Sequence, residues 1–242
     1  MDSRWSIFFG QYLITSVAEE SDRAVARREV TRMQYGSIMQ FDFKSLDATS
    51  RYKLMTGLVV PRPIAWITTV NVNGSINAAP FSFFNAIGTD PALIVLGIGD
   101  HPDRPKDTAA NIQREKEFVV NLVPEALAQA MSDSATDYPA DVSEIDALEL
   151  ATLSSQWVKP PRLDGCPASL ECRLERVLLI GENRIVFGEV LGVHVLDEVV
   201  SDASKCQIAS ERMQLIGRMG GLGGYTRTTD FFQIPRKKYT GS

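Results

Sequence analysis

At 242 residues, 44% of them hydrophobic, the chain carries enough apolar material for one sizeable core. Acidic side chains outnumber basic ones by 30 to 25, and no basic block or aromatic-interleaved basic stripe occurs, which excludes the usual electrostatic footprint of a nucleic-acid binder. The three cysteines, Cys166, Cys172 and Cys206, lack C-x-x-C spacing and the only histidines are His101 and His194, so neither a disulfide framework nor a short-spaced zinc motif is present.

Residues 1–38 read as an N-terminal extension, and residues 39–242 as one domain. The apolar stretch at 5–14 is interrupted by Gly10, Gln11 and Tyr12, which does not suit a signal peptide, and 19–33 is charged and Arg-rich. No apolar run reaches the length needed to cross a bilayer, so a cytoplasmic protein without a membrane partner is expected. A short helix is expected over 46–55. Pro61 and Pro63 then bracket Arg62 and keep the entry to the next strand extended. The Arg62 guanidinium is expected to meet either a ligand anion or a carboxylate of its own fold.

Residues 61–85 organise the chain. Two apolar, β-branched and aromatic runs, 64–72 and 76–85, flank Asn73-Gly74, a dipeptide suited to a two-residue hairpin turn. Strand alternation puts the adjacent Thr68 and Thr69 on opposite faces, so at least one hydroxyl points inward. The second arm ends in Ser82, Phe83, Phe84 and Asn85, which offer backbone amides, small polar groups and aromatic surface: a wall for a flat, polar-edged ring.

Residues 92–99 form a nearly continuous apolar strand, expected to be buried on both faces or in a barrel wall. After a proline-bounded loop containing His101, Asp107 or Thr108 is expected to cap a helix running to about residue 116. Free amides at that start, with Lys106 beside them, make an anion site whose natural guest is a phosphate. Asp107 would repel a phosphate, so it is assigned to capping, to the polar chain of a ligand or to pairing with a nearby base. A strand at 117–123 follows, then a helix at 125–131 opened by Pro124, and an acidic segment at 133–149 with a helical stretch near 143–150.

Prolines stiffen the crossing at 157–167. In the strand at 168–180, Ser169, Glu171, Arg173 and Glu175 make a wet side opposite Ala168, Leu170, Cys172 and Leu174. The last long strand, 185–195, places His194 on one face with Gly188 and Gly192, gaps that admit a ring or permit curvature. A helix is expected over 204–216. The glycine loop 217–225 ends in Tyr225 and lacks the strand-before, helix-after order of a dinucleotide fingerprint.

The segments V-P-R-P-I-A-W-I-T-T, G-S-I-N-A-A-P-F-S-F-F-N, P-K-D-T-A-A-N-I, E-F-V-V-N-L, P-A-S-L-E-C-R-L, F-G-E-V-L-G-V-H-V and R-M-G-G-L-G-G-Y together resemble the flavin reductase-like family, the flavoredoxin-type FMN-binding split barrels. The resemblance implies a mainly β fold with peripheral helices, built as a split β-barrel. It also implies a homodimer with FMN near the subunit interface and NADH or NADPH as electron donor. In this family, insertions such as 133–149 border the flavin pocket. The family's R-x-G-G…Y element is present with an additional Gly223-Gly224.

With FMN as guest, Ser82, Phe83, Phe84 and Asn85 with Thr68 or Thr69 would hold the ring edges and polar chain, while Lys106, Asp107 and Thr108 would meet the phosphate end. Hydride arrival at the flavin needs no general acid or base and no metal from the protein. The expected activity is NAD(P)H-dependent FMN reduction, with electrons passed to a separate acceptor, either a small molecule or a partner oxygenase. The alternatives are an FMN-bound electron carrier with little nicotinamide activity, and a reductase or oxidase of a specific organic substrate. A hydrolase using Cys166 or Ser82 with His194 has no nucleophile motif to support it.

Overall fold

The computed structural model describes residues 38–139, 142–221, 223–237 and 239. The expected extension at 1–38 lies outside the described residues except for Ile38. The chain divides into two units between Arg51 and Tyr52, within helix α1 (Ala48–Leu58). In the first, the Asp47 carboxylate accepts the Ser50 amide at 2.7 Å and the Ser50 hydroxyl at 3.1 Å, capping α1. The helix expected over 46–55 therefore starts after its Asp47 cap and continues to Leu58.

The second unit is built on β1 (Ala65–Val70), β2 (Ile76–Phe81), β3 (Phe84–Thr89), β4 (Ala92–Gly99) and β5 (Glu117–Leu122), a small pair β6 (Thr152–Leu153) and β7 (Arg162–Leu163), and the long strands β8 (Ala168–Ile180) and β9 (Asn183–Val195). Helices α2 (Asp107–Glu115), α3 (Ala128–Asp133) and α4 (Glu144–Ala147) lie between them, and β10 (Val200–Asp202), β11 (Gln207–Ile208), β12 (Ile216–Arg218) and β13 (Tyr225–Arg227) follow. Seven strands form one antiparallel sheet in the order β2-β1-β5-β8-β9-β4-β3. Strands β2 and β3 are consecutive in sequence yet stand at opposite edges. The corner Ser82-Phe83 joins them, and there the Gly97 amide donates to the Phe83 carbonyl at 2.7 Å. The sheet thus curls back on itself as the split barrel expected, mainly β with peripheral helices. Among the described residues no helix is long and apolar enough to cross a membrane.

β1 feeds two cores because its side chains alternate. Ala65 and Ile67 join Leu96, Ile98, Ile112, Phe118 and Val186 in one. Ile64 and Trp66 join Val123, Met131, Ile145 and Leu163 in the other, where the Trp66 indole N–H donates to Ser134 Oγ at 2.9 Å. Each fully buried side chain of this size stabilises the fold by about 1.5–3 kcal/mol.

Three local expectations are corrected and one alternative is decided. The β1–β2 turn is longer than two residues: the Asn71 amide donates to the Ser75 carbonyl at 2.8 Å, and only Gly74 has positive φ, at 85°. Asn73 instead accepts the Ser75 amide at 3.0 Å, a side-chain turn that holds its backbone in the ordinary region. The second arm ends at Phe81 because the chain leaves for the far edge. Of the two arrangements expected for β4, the barrel wall holds: only Ile94, Leu96 and Ile98, all on one face, are buried. Over 204–216 two single turns, Ala203–Lys205 and Ser210–Met213, replace the helix, each ended by a left-handed residue, Cys206 at φ 51° and Gln214 at φ 49°.

Candidate active site

The site begins with a buried polar network. Asn77, on the inner side of edge strand β2, donates from Nδ2 to Thr69 Oγ1 at 3.3 Å and to Thr108 Oγ1 at 3.0 Å. Asn111, on the buried face of α2, donates to Thr69 Oγ1 at 3.0 Å and to Asn71 Oδ1 at 2.7 Å. These bonds fix the start of α2 against β1 and β2. Neither asparagine was singled out from the sequence. Their signal was a polar residue at an inward position of an apolar strand and of an amphipathic helix.

Neither Asp107 nor Thr108 caps α2. Lys106 occupies the N-cap position in extended conformation and no side chain caps the helix. Asp107 is already helical, and its carboxylate turns to Arg104 at 2.8 Å. The Thr108 hydroxyl accepts from Asn77, which leaves its own proton free to donate. The first intrahelical bond is Ala110 N–H to the Lys106 carbonyl at 3.0 Å, so the amides of Asp107, Thr108 and Ala109 precede it. The Lys106 ammonium stands 6.0 Å from the Phe81 ring centroid, and among the described residues it forms no salt bridge.

These groups line a cavity of about 320 Å³ bounded by β2, the loop from His101 to Lys106, the start of α2, residues 134–138 and Glu144. The acidic segment therefore borders the cavity. Glu144 accepts the Ala78 amide at 3.0 Å, and Ser143 donates to the Ile76 carbonyl at 2.6 Å, so α4 covers the open edge of β2. Burial raises the Glu144 carboxyl above its ordinary range, with the nearby Asp107 adding to the effect.

Of the residues expected at the site, Lys106, Asp107 and Thr108 come together in the cavity. Thr69 lies one layer behind them, fully buried. Thr68 points to the opposite face and donates to the Pro161 carbonyl at 2.6 Å, lining no part of the cavity. Ser82, Phe83, Phe84 and Asn85 follow directly on Phe81, at the corner beside the cavity. Ser82 Oγ accepts from Arg62 Nε at 3.3 Å, and Phe83 is 44% exposed with its ring 5.9 Å from the Arg62 guanidinium. Phe84 packs partly into the core, and Asn85 is exposed with its Oδ1 accepting the Ala86 amide at 2.9 Å.

A family model of the flavin reductase like domain matches residues 56–207. The chain belongs to this family. An uncharacterized protein of Deinococcus radiodurans is 42% identical over 204 residues, covering 82% of this chain and 90% of that protein. Among solved structures, the Pseudomonas fluorescens 2-nitrobenzoate 2-nitroreductase NbaA is 33% identical with a TM-score of 0.77, over 84% of this chain and 99% of the other. Nitrilotriacetate monooxygenase component B from Bacillus cereus is 28% identical with a TM-score of 0.78, over 83% and 100% respectively.

Within this flavin reductase-like domain the remaining candidates are buried or bonded to the protein's own groups. Arg62 meets no carboxylate among the described residues: it is 6% exposed and donates to the carbonyls of Thr56 and Val59 at 2.7 Å each. The gaps beside His194 are filled by protein. A Cβ on Gly188 would meet the Phe118 ring at 2.5 Å, and one on Gly192 the Trp157 ring at 2.3 Å. His194 Nε2 pairs with Glu171 Oε1 at 2.6 Å and packs on Trp157. Glu171, expected on a wet face, is fully buried because residues 156–158 fold over it and donate their amides at 2.5–3.1 Å. Cys166 is buried, which, with Asp164 nearby, pushes its thiol up to about 12 and disarms it as a nucleophile.

Proposed function

We propose that this flavin oxidoreductase binds FMN, takes hydride from NADH or NADPH onto it, and passes the electrons to a separate acceptor. The observation that carries the reading is the uncapped start of α2, with Lys106, unpaired among the described residues, at its side, opening into a cavity where Asp107 is already paired with Arg104. Three free amides, a positive dipole end and an ammonium suit the FMN phosphate. Thr108 adds a hydroxyl proton whose direction Asn77 fixes. Phe81, which Lys106 reaches, leads into Ser82–Asn85, and that corner would supply the wall for the flavin ring. When bound, FMN accepts the hydride and hands electrons on singly or in pairs.

The chain's own part is to bind, orient and exclude water, and no side chain is assigned a proton transfer. The partly exposed corner fits a site completed in a homodimer. Free thiols at Cys166 and Cys172 fit a reducing compartment such as the cytoplasm. The solved neighbours suggest two kinds of acceptor. Component B of a monooxygenase favours a partner oxygenase, and the nitroreductase, at 33% identity, favours a second reading in which an organic nitro compound is reduced directly.

The test is the absorption spectrum of the purified protein with added FMN, followed by anaerobic NADH and NADPH. Bleaching of a protein-bound flavin band within seconds is expected. A protein that leaves FMN unbound at millimolar concentration overturns the reading, and bleaching only by dithionite would make it an electron carrier. Reoxidation of the bleached protein by 2-nitrobenzoate, and not by oxygen, would favour the second reading.

A further inference from the structure

Arg62 and Arg218 face each other in a single antiparallel bridge: the Arg62 amide donates to the Arg218 carbonyl at 2.9 Å, and the Arg218 amide to the Arg62 carbonyl at 2.8 Å. In such a pair both side chains leave the ribbon on the same face, from Cα atoms about 5.5 Å apart, and like charges so placed repel. Among the described residues no carboxylate bonds either guanidinium. Burial, and secondarily the charge of Arg218, hold the Arg62 pKa below its ordinary value.

The two arginines are not equivalent. Arg62 is buried, with donors engaged by Thr56, Val59, Met219 and Ser82. Arg218 is partly exposed, and its contacts with the carbonyls of Gly224 and Gly221 are long, 3.2 and 3.5 Å. The loop carrying it is pressed hard onto the body of the domain. A Cβ on Gly220 would stand 2.8 Å from Gly57 Cα, and one on Gly217 would stand 2.9 Å from Pro61 Cβ. Arg218 is therefore a fixed cation with donors to spare. An exposed aromatic lies beside each member of the pair. The Tyr225 ring, 36% exposed, is 4.7 Å from the Arg218 guanidinium, and Phe83, 44% exposed, is 5.9 Å from that of Arg62.

We infer that Arg218, backed by Arg62 and flanked by Tyr225 and Phe83, receives the pyrophosphate of the nicotinamide dinucleotide, an assignment that rests on the flavin reductase reading above. Two adjacent cations match a group with two negative charges better than a single carboxylate. Aromatic faces on both sides match a ligand that carries a ring on each side of its pyrophosphate. The glycine loop thus serves the dinucleotide through a held side chain, without the helix start that a dinucleotide fingerprint uses.

The experiment compares two hydride donors on the FMN-loaded full chain: NADH, and 1-benzyl-1,4-dihydronicotinamide, which lacks the pyrophosphate. In Arg218→Gln the ratio of kcat/KM for NADH to that for the truncated donor falls roughly tenfold, the scale of a charge-assisted contact, and Arg218→Lys recovers part of it. An unchanged ratio, whether both values fall together or neither falls, overturns the inference. Inorganic pyrophosphate provides a measurement on the wild type: it inhibits competitively against NADH and not against the truncated donor, and equal inhibition of both overturns the assignment. Failure of the underlying reading looks different, because the wild type then binds no FMN or is bleached by neither donor.

Discussion

Lys106 and Glu171 show how differently one charge serves at a surface cavity and inside a wall. Lys106 has no carboxylate partner among the described residues, so its charge is available to a ligand. Lys106→Ala is expected to weaken FMN binding by at least roughly 1 kcal/mol, a fivefold or greater rise in Kd read from flavin fluorescence, with the fold unchanged. Glu171 does the reverse, using its whole capacity internally. Burial pushes its carboxyl up, but the amides of Gln156, Trp157 and Val158 together with His194 bring it, on balance, below the ordinary 4.5. A carboxyl lower in the folded than in the unfolded chain contributes its full stability above the unfolded pKa and loses it as pH falls through the folded value. Stability is therefore expected to fall on acidification below about 4.5. Glu171→Gln should remove this part of the slope and, at neutral pH, lower the unfolding free energy in urea by about 2–3 kcal/mol.

Among the elements, the β8–β9 pair carries the sharpest packing test. The site a Gly188 Cβ would take is held by the fully buried Phe118 ring, whereas Gly192 faces Trp157, which is 44% exposed and can swing away. Gly99 has open space. Gly188→Ala is expected to cost about 1–3 kcal/mol, Gly192→Ala less, and Gly99→Ala under about 0.5 kcal/mol. A reversed order in denaturant midpoints would mean that ring packing does not set these positions. The same strands mark how far local pattern reaches. Alternation defined β8 from Ala168 to Ile180, because a period of two is written in consecutive residues. It misjudged Glu171, because the backbone that covers that carboxylate comes from residues 156–158, and alternation says nothing of what crosses a face. Local composition likewise suggests a helix over 204–216, where Cys206 and Gln214 take left-handed conformations that it does not announce.

At the scale of the whole molecule, the cavity draws on β2, the loop before α2 and the segment from Ser134 to Glu144, so no single motif contains it. Lys106 beside the start of a helix was readable from the residues themselves. The barrel rested on the family resemblance, since closure by distant strand edges leaves no local trace. Because the described residues that line the cavity lie between Asn77 and Glu144 and the family match begins at residue 56, deleting residues 1–38 is expected to leave FMN affinity within about twofold. Loss of the yellow colour on truncation would show that the extension takes part.

The seam between β2 and β3 has a dynamic corollary. Five of the seven strands have a hydrogen-bonded neighbour on each side, while the rims β2 and β3 each have one and are joined by the corner Ser82-Phe83. Breathing along that line separates no ladder from its partner. Deuterium should accordingly enter the amides of the rim strands β2 and β3 well before those inside β8 and β9, and a flavin seated at this corner would come and go while the rest of the wall stays shut.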